Sequence, residues 1–480
     1  MTNETLTVRS DLFIDGTWRA GKDGSRFPVL NPADHTELAS FAVASVEDCD
    51  DAVVAAAGAL PRWSATPARA RSELLRRVFE LMTSEAETLA EIMVSENGKA
   101  WPDAIAEVRY SAEFFRWFAE EAVRIPGEYR NAPSGDKRII VTHQPMGVTL
   151  LITPWNFPAA MAARKIAPAL AAGCTVVLKP ASETPLTAAY IVDLLDRAGV
   201  PAGVVNLVTP RPVGPAVEAM LAHPSVRKLS FTGSTEVGRE LLASAAGRVV
   251  SASMELGGNA PLVVLPGADL DIAIAGTVDA KMRNGGSACT AANRIYVHSS
   301  LHDEFVERLA GRFAGFALGP GADRSNTLGA LVSQKERDKV ATLVETAIEE
   351  GATLAFGGPG GSSGCFYPAT ILTDVVHGST INTTEIFGPI AAVVRYDDVE
   401  LALQLANDSE FGLSAYVFGP EGDAVRFAAR LESGMVGVNR GVISDPAAPF
   451  GGVKQSGLGR EGSSDGILEF LEVQYIALPA

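Results

Sequence analysis

The spacing of apolar residues changes character along the chain. Up to about residue 122 it is helical: Leu74, Leu75, Val78, Leu81 and Met82 share one face of a helix expected over 67–97. Thr66-Pro67 reads as its cap and Asn97-Gly98 as its stop. Ala112, Phe115 and Phe118 mark a second helix over about 102–122. Both helices read as purely structural. Residues 127–145 differ, because Asn131-Ala-Pro-Ser-Gly-Asp136 is turn-like and Lys137-Arg-Ile-Ile-Val-Thr-His143 is a strand with a polar start. A hairpin leaving the globule is expected there. The mixed strand Leu468–Ala477 is its expected partner, within or between subunits.

From 146 to 254 the pattern repeats as strand, loop and helix. Strands are expected at Val148–Thr153, Thr175–Leu178, Val204–Val208, Lys228–Thr232 and Val249–Met254, with helices over 159–172, 185–198, 213–222 and 235–246. Short strands apolar on both sides and separated by helices predict a doubly wound parallel sheet, which binds ligands at the carboxyl ends of its strands. A second α/β unit begins after residue 257. It has strands at Pro261–Leu265 and Arg294–His298 and helices over 268–284, 301–314 and 334–350. Gly357–Gly364 reads as a surface loop, with no helix start behind it to hold a phosphate.

Composition narrows the class. A chain of 480 residues, 47% apolar and 20% charged, suits a soluble globular protein of two or three domains. The formal charge of −17 argues against nucleic acid as a partner. The N-terminal residues lack the apolar core of a signal peptide, and no run is long enough to span a membrane. Cys49, Cys174, Cys289 and Cys365 are scattered without pair spacing, which fits a reducing cytosol. No clustering of Cys or His suggests a zinc site.

One cysteine stands apart. Cys289 lies in Asn284-Gly-Gly-Ser-Ala-Cys289-Thr, and Glu255 lies in Met254-Glu-Leu-Gly-Gly-Asn259. A thiol and a carboxylate, each set among glycines, are the parts needed to form and then hydrolyse an acyl-enzyme. Cys49, Cys174 and Cys365 read as small buried hydrophobes. Phe231-Thr-Gly-Ser-Thr-Glu-Val-Gly238 follows a strand and opens a helix, as a pyrophosphate site requires. Its Gly-x4-Gly spacing is equally that of a structural turn.

Further motifs line up in order: Pro154-Trp-Asn-Phe-Pro158, Lys179-Pro-Ala-Ser182, Glu385-Ile-Phe-Gly-Pro389 and Pro449-Phe-Gly-Gly-Val-Lys-Gln-Ser-Gly457. With those above, the chain resembles the aldehyde dehydrogenase superfamily from about residue 12 to 476. The resemblance implies a Rossmann-type parallel-sheet cofactor domain (1–126 and 146–256), a second α/β catalytic domain (257–457) and a β-hairpin oligomerisation arm (127–145 and 464–480). A homodimer or homotetramer follows from the same likeness, and the cysteine pattern above places it in the cytoplasm.

The same resemblance assigns roles. Cys289 is the nucleophile, the Asn156 amide and the Cys289 backbone N–H hold the oxyanion, and Glu255 activates the hydrolytic water. Thr153, Trp155, Lys179, Ser182, Thr232, Gly233, Ser234, Leu256, Glu385 and Phe387 fall to the cofactor. An acidic residue often stands at the position of Ser182 in members that prefer NAD. A hydroxyl beside Lys179 favours NADP, with Glu183 opposing and NAD as the alternative.

Within the superfamily the likeness is to the NADP-dependent succinate-semialdehyde dehydrogenases, whose distal-carboxylate contacts map onto Arg164, Arg283 and Ser444. Glutarate semialdehyde or another aldehyde acid is the nearest alternative substrate. The competing reading of both arginines is pairing with acidic residues. A non-catalytic scaffold is opposed by intact Cys289, Glu255 and Asn156, and a Cys-His hydrolase by the lack of histidine in these motifs. Four positions depart from the family pattern: Ser287, Ala291, Pro210 and Arg440. Ala291 removes a second thiol beside Cys289, and Arg440 is expected to add positive charge at the substrate mouth.

Overall fold

Five parallel strands make the centre of the first sheet. In spatial order they are Val205–Leu207, Thr175–Lys179, Val148–Ile152, Val226–Thr232 and Ser251–Glu255. The chain lays down Val148–Ile152 first, adds two strands on one side, then crosses to add two on the other. Its order therefore reverses between Val148–Ile152 and Val226–Thr232, where the following loops diverge and open a crevice. Leu12–Ile14 and Thr17–Arg19 extend one edge antiparallel, and Gly457–Leu458 closes the other against Ser251–Glu255. The structure, a computed structural model, describes residues 8–359 and 364–480. The glycine-rich loop expected at Gly357–Gly364, and residues 1–7 of the N-terminal segment, thus lie partly or wholly outside the described residues.

The second sheet is built around Ala260–Val264, flanked in parallel by Ala292–His298 and Ser414–Phe418. Ile390–Tyr396, Thr370–Thr373 and Met435–Val438 continue it in parallel, and Thr353–Phe356 forms an antiparallel edge. The carboxyl end of Ser251–Glu255 runs within a few residues into the start of Ala260–Val264. This short passage brings the strand ends of the first sheet against the strand starts of the second.

The expected hairpin is present. Glu128–Asn131 pairs with Lys137–Pro145, and Leu471–Pro479 pairs antiparallel with the latter, Leu471 opposite Pro145 and Pro479 opposite Lys137. Tyr129, Val473 and Tyr475 on these strands are exposed.

Two local expectations differ. The helix expected over 67–97 is two, Ala68–Ser84 and Ala86–Asn97, parted by a non-helical Glu85 whose carboxylate pairs with Arg197 and accepts from Tyr190. Thr66 does not cap the first of them; its hydroxyl donates back to the Arg62 carbonyl. The helix Val46–Ser64 went unread, although Ser45 and Asp48 form a capping box at its start.

The helix Pro158–Ala172 is buried along its whole length. Its many alanines let the sheet and the helix Trp101–Glu121 approach it from different sides. The chain segments bearing Asn156 and Arg164 are thereby held in the interior.

Candidate active site

Cys289 follows a backbone that only glycine takes easily. Asn284, Gly285 and Gly286 all have positive φ, at 54°, 58° and 77°. A Cβ on Gly286 would sit 2.1 Å from the Gly388 carbonyl oxygen, so this loop presses directly on the loop carrying Glu385 and Phe387. On the other side, a Cβ on Gly258 would lie 2.5 Å from the Cys289 carbonyl oxygen. The glycines around Cys289 and Glu255 are therefore there for close approach. They let the nucleophile loop settle against the end of the Glu255 strand.

Asn156 is buried and braced from several directions. Its backbone carbonyl accepts from Lys99 Nζ at 2.9 Å and from Asn284 Nδ2 at 2.8 Å. Its side-chain Nδ2 donates to the Ser287 carbonyl at 3.1 Å, two residues before the nucleophile. An amide nitrogen has two hydrogens, so one N–H remains for an oxyanion. Lys99 is itself held by a buried ion pair with Glu107, whose other oxygen accepts the first amides of the Pro158–Ala172 helix, Ala159 N at 2.9 Å and Ala160 N at 3.2 Å. The helix read as chemically silent thus anchors the oxyanion loop. Glu107→Ala leaves a buried ammonium and two helix amides unpaired, and is expected to cost about 3–5 kcal/mol. A urea unfolding midpoint equal to that of the wild type would show that the pair carries no such weight.

Glu255 ends the strand Ser251–Glu255 and is 4% exposed. One carboxylate oxygen, Oε2, is buried without a hydrogen-bond partner among the described residues. Burial, and then the nearby Glu461 carboxylate, raise its proton affinity well above the ordinary carboxylate range, against the pull of Arg164, Lys165 and Arg460. Cys289 does not sit in an activating field as the chain stands. Burial pushes its thiol up to about 12, with Glu385 and Glu255 adding to the rise while Arg164 and Arg283 oppose it. Burial thus raises the proton affinity of both thiol and carboxyl, and Glu255 adds to the rise at Cys289.

Cys289 lines two cavities. One, of about 80 Å³, is also lined by Tyr110, Arg164, Arg283, Ser444 and Phe450. The three residues that sequence resemblance assigned to a carboxylate, Arg164, Arg283 and Ser444, are thus brought together beside the nucleophile. Arg283 makes no ion pair within 4 Å among the described residues. Arg164 lies between the two readings. Its Nε is 2.8 Å from Glu461 Oε2, its guanidinium stacks 3.9 Å from the Phe450 ring, and its Nη2 has no hydrogen-bond partner among the described residues. Arg440 is elsewhere: exposed, it donates to its own loop at the Val442 carbonyl and does not line the cavity.

The second cavity, of about 190 Å³, lies at the crevice where strand order reverses. Trp155, Asn156, Thr232, Gly233, Ser234, Leu256, Gly257, Glu385 and Phe387 line it along with Cys289. Ser234 caps the helix Thr235–Ala246 through Val237 N at 3.4 Å, and Thr232 Oγ1 is buried without a partner. Glu385 accepts from Gly258 N at 3.2 Å, and burial raises its carboxyl to about 7. Thr153, Lys179 and Ser182 sit at the neighbouring strand ends, outside this cavity, with Thr153 N donating to the Lys179 carbonyl at 3.1 Å. Lys179 is 9% exposed and has no ion pair within 4 Å among the described residues. Burial lowers its proton affinity, Glu183 raises it and the nearby Arg211 lowers it again.

Several residues lining the cavities or lying beside them were not anticipated. Asp103, Glu107, Tyr110 and Phe114 are spaced as one face of the helix Trp101–Glu121. Polar groups on a face that also carries buried phenylalanines are the signal that was available for the first three. Glu461 and Arg211 had no such pattern; only packing places them.

The chain matches the model of the aldehyde dehydrogenase family over residues 18–476. It is 48% identical to a succinate-semialdehyde dehydrogenase of Paenarthrobacter nicotinovorans over 92% of this chain and 98% of that one. It is 45% identical to a 3-sulfolactaldehyde dehydrogenase of Pseudomonas putida, covering 98% and 97%. Among solved structures, an NADP-dependent enzyme of E. coli superposes with a TM-score of 0.98 at 43% identity, over the full length of both chains.

Proposed function

The chain belongs to the aldehyde dehydrogenase family, and on that premise we propose that it oxidises succinate semialdehyde to succinate with NADP as the preferred cofactor. The observation that carries the substrate class is the small cavity in which Cys289 faces Arg164, Arg283 and Ser444. Guanidinium groups with unspent donors in a nearly closed space call for an anion, and a carboxylate offers the matching geometry. Anchoring that end leaves the aldehyde at the thiol. The relatives agree in kind, since succinate semialdehyde carries a distal carboxylate and 3-sulfolactaldehyde a distal sulfonate.

The residues then take these parts. Cys289 releases its thiol proton to solvent and its Sγ adds to the aldehyde carbon to form a thiohemiacetal, while the free N–H of Asn156 and the Cys289 backbone N–H hold the oxyanion. When bound in the second cavity, the oxidised nicotinamide supplies the acceptor for the hydride that leaves this carbon. The carbon is left as a thioester on Cys289. Glu255 takes a proton from water, the hydroxide oxygen attacks the thioester, and the acid departs as the thiol is restored. Trp155, Thr232, Gly233, Ser234, Leu256, Glu385 and Phe387 would hold the nicotinamide half, with Thr153, Lys179 and Ser182 toward the adenosine. Lys179, with no ion pair within 4 Å among the described residues and with Arg211 near, favours a ligand carrying an extra phosphate there against the pull of Glu183, and Ser182 adds no charge to repel it. Residues 1–126 with 146–256 serve as the cofactor domain, 257–457 as the catalytic domain, and the three-stranded arm as a homodimer or homotetramer contact.

Initial rates against succinate semialdehyde, glutarate semialdehyde and butanal, each with NADP and NAD in parallel, test this. Succinate semialdehyde with NADP is expected to give the highest kcat/KM, exceeding butanal by about 100-fold or more, the scale of an unmet charge-assisted contact. Equal or better use of butanal removes the anion pocket, and a preference for NAD removes the cofactor assignment.

A further inference from the structure

Tyr110 has no part in the assignments above, yet its position in the small cavity is as built as that of the arginines. Its ring is held by Phe114 one helical turn on, in an edge-to-face contact at 5.0 Å, and packs with Phe157 and Met161. The hydroxyl at the ring's end is buried and has no hydrogen-bond partner among the described residues. Arg164 Nη2 on the same cavity wall is likewise unpartnered, and Arg283 has no ion pair among the described residues. Three donors around one space beside Cys289 thus lack acceptors.

Buried polar groups are nearly always satisfied, and an orphaned hydroxyl is a cost that a ligand acceptor can offset. Of the carboxylates lining the space, Glu107 is spent on Lys99 and on two helix amides, while burial raises the proton affinity of Asp103 against the Asn284 backbone N–H, Lys99 and Arg283. Glu461, beside the space, lies against Arg164 and Lys165. None of them accepts from Tyr110 Oη or Arg164 Nη2 among the described residues, so these donors await an incoming group with lone pairs. We propose that Tyr110 Oη donates a hydrogen bond to the anionic end of the substrate, forming with Arg164 and Arg283 a three-donor clamp that makes Tyr110 a specificity-determining residue. Burial raises the phenol's proton affinity, with Arg164 and Arg283 as its largest charged neighbours in opposition, so the hydroxyl keeps its proton and stays a donor at neutral pH.

This inference rests on the aldehyde-acid reading, and the experiment separates the two. Tyr110→Phe removes only the hydroxyl and keeps the ring packing. In the holoenzyme with saturating NADP, the variant is expected to raise KM for succinate semialdehyde by about 10- to 100-fold, the range of a hydrogen bond to a charged group. The kcat for that substrate and both constants for butanal should stay as in the wild type. Unchanged butanal turnover in the same preparation also reports an intact fold. As a second readout, succinate should inhibit butanal oxidation more weakly in the variant by the same factor. If both aldehydes lose activity together, the hydroxyl serves the reacting centre or the fold, and the clamp is wrong. If neither changes while the wild type still prefers succinate semialdehyde, Tyr110 is not in the clamp although the arginines are. If the wild type itself shows no preference over butanal, the aldehyde-acid reading falls and takes the clamp with it.

Discussion

Cys289→Ala is expected to lower kcat/KM for aldehyde oxidation by roughly four orders of magnitude or more, because every bond-making step passes through its sulfur. The substitution should leave NADP binding intact. Cys289 touches the cofactor cavity only at one wall, and the glycine contacts that seat its loop involve backbone atoms that alanine retains. Binding of NADP followed by titration calorimetry, beside turnover followed at the nicotinamide band, distinguishes loss of the nucleophile from loss of the fold. Turnover above background in the variant would falsify the assignment. The other cysteines serve as controls. Cys49, Cys174 and Cys365 are buried, and Cys49 and Cys174 lie within apolar clusters.

Glu255→Gln should show a different signature. The acyl-enzyme still forms, so a burst of reduced cofactor about equal to the active-site concentration is expected, followed by a steady rate about 10²- to 10⁴-fold below wild type. The pH dependence carries the sign. A carboxyl whose proton affinity is raised in the folded protein becomes a base only at higher pH than usual. The wild-type steady rate should therefore climb with pH through that raised range, as Glu255 loses its proton. The glutamine variant should lack the climb in its deacylation rate. Cys289, pushed up to about 12, also favours alkaline pH, but it acts on burst formation, which rapid mixing resolves separately. A variant with no burst and a parallel fall in both phases would place Glu255 in acylation instead.

Periodicity was sufficient where each element's own residues decide its state. The strands from Val148–Ile152 to Ala292–His298 and the helices between them were legible because short apolar runs, bounded by turn residues, have few other solutions. The hairpin and its partner were legible for the same reason. The split at Glu85 was not, and the partners of its carboxylate, Arg197 and Tyr190, lie far away in sequence. Nor was the role of the helix Trp101–Glu121, whose apolar phenylalanines masked the functional use of Glu107 and Tyr110 on the same side.

The active-site pair follows the same division. Glycine-flanked functional groups singled out Cys289 and Glu255, because such glycines mark places where backbone must come close, and the family resemblance added Asn156. Sequence also set the candidates Arg164, Arg283 and Ser444, but it could not say whether the arginines face a ligand or an acid. That was decided by packing: Glu461 takes one edge of Arg164, Arg283 is left without an ion pair within 4 Å among the described residues, and Arg440 turns outward. Proton affinities were likewise beyond reach from sequence, since burial and neighbouring charges raise both Cys289 and Glu255. Local composition determined which groups this chain has for acyl chemistry. Only the tertiary structure decided which of them have unspent donors and lone pairs, because desolvation and partnership are properties of distant residues brought together.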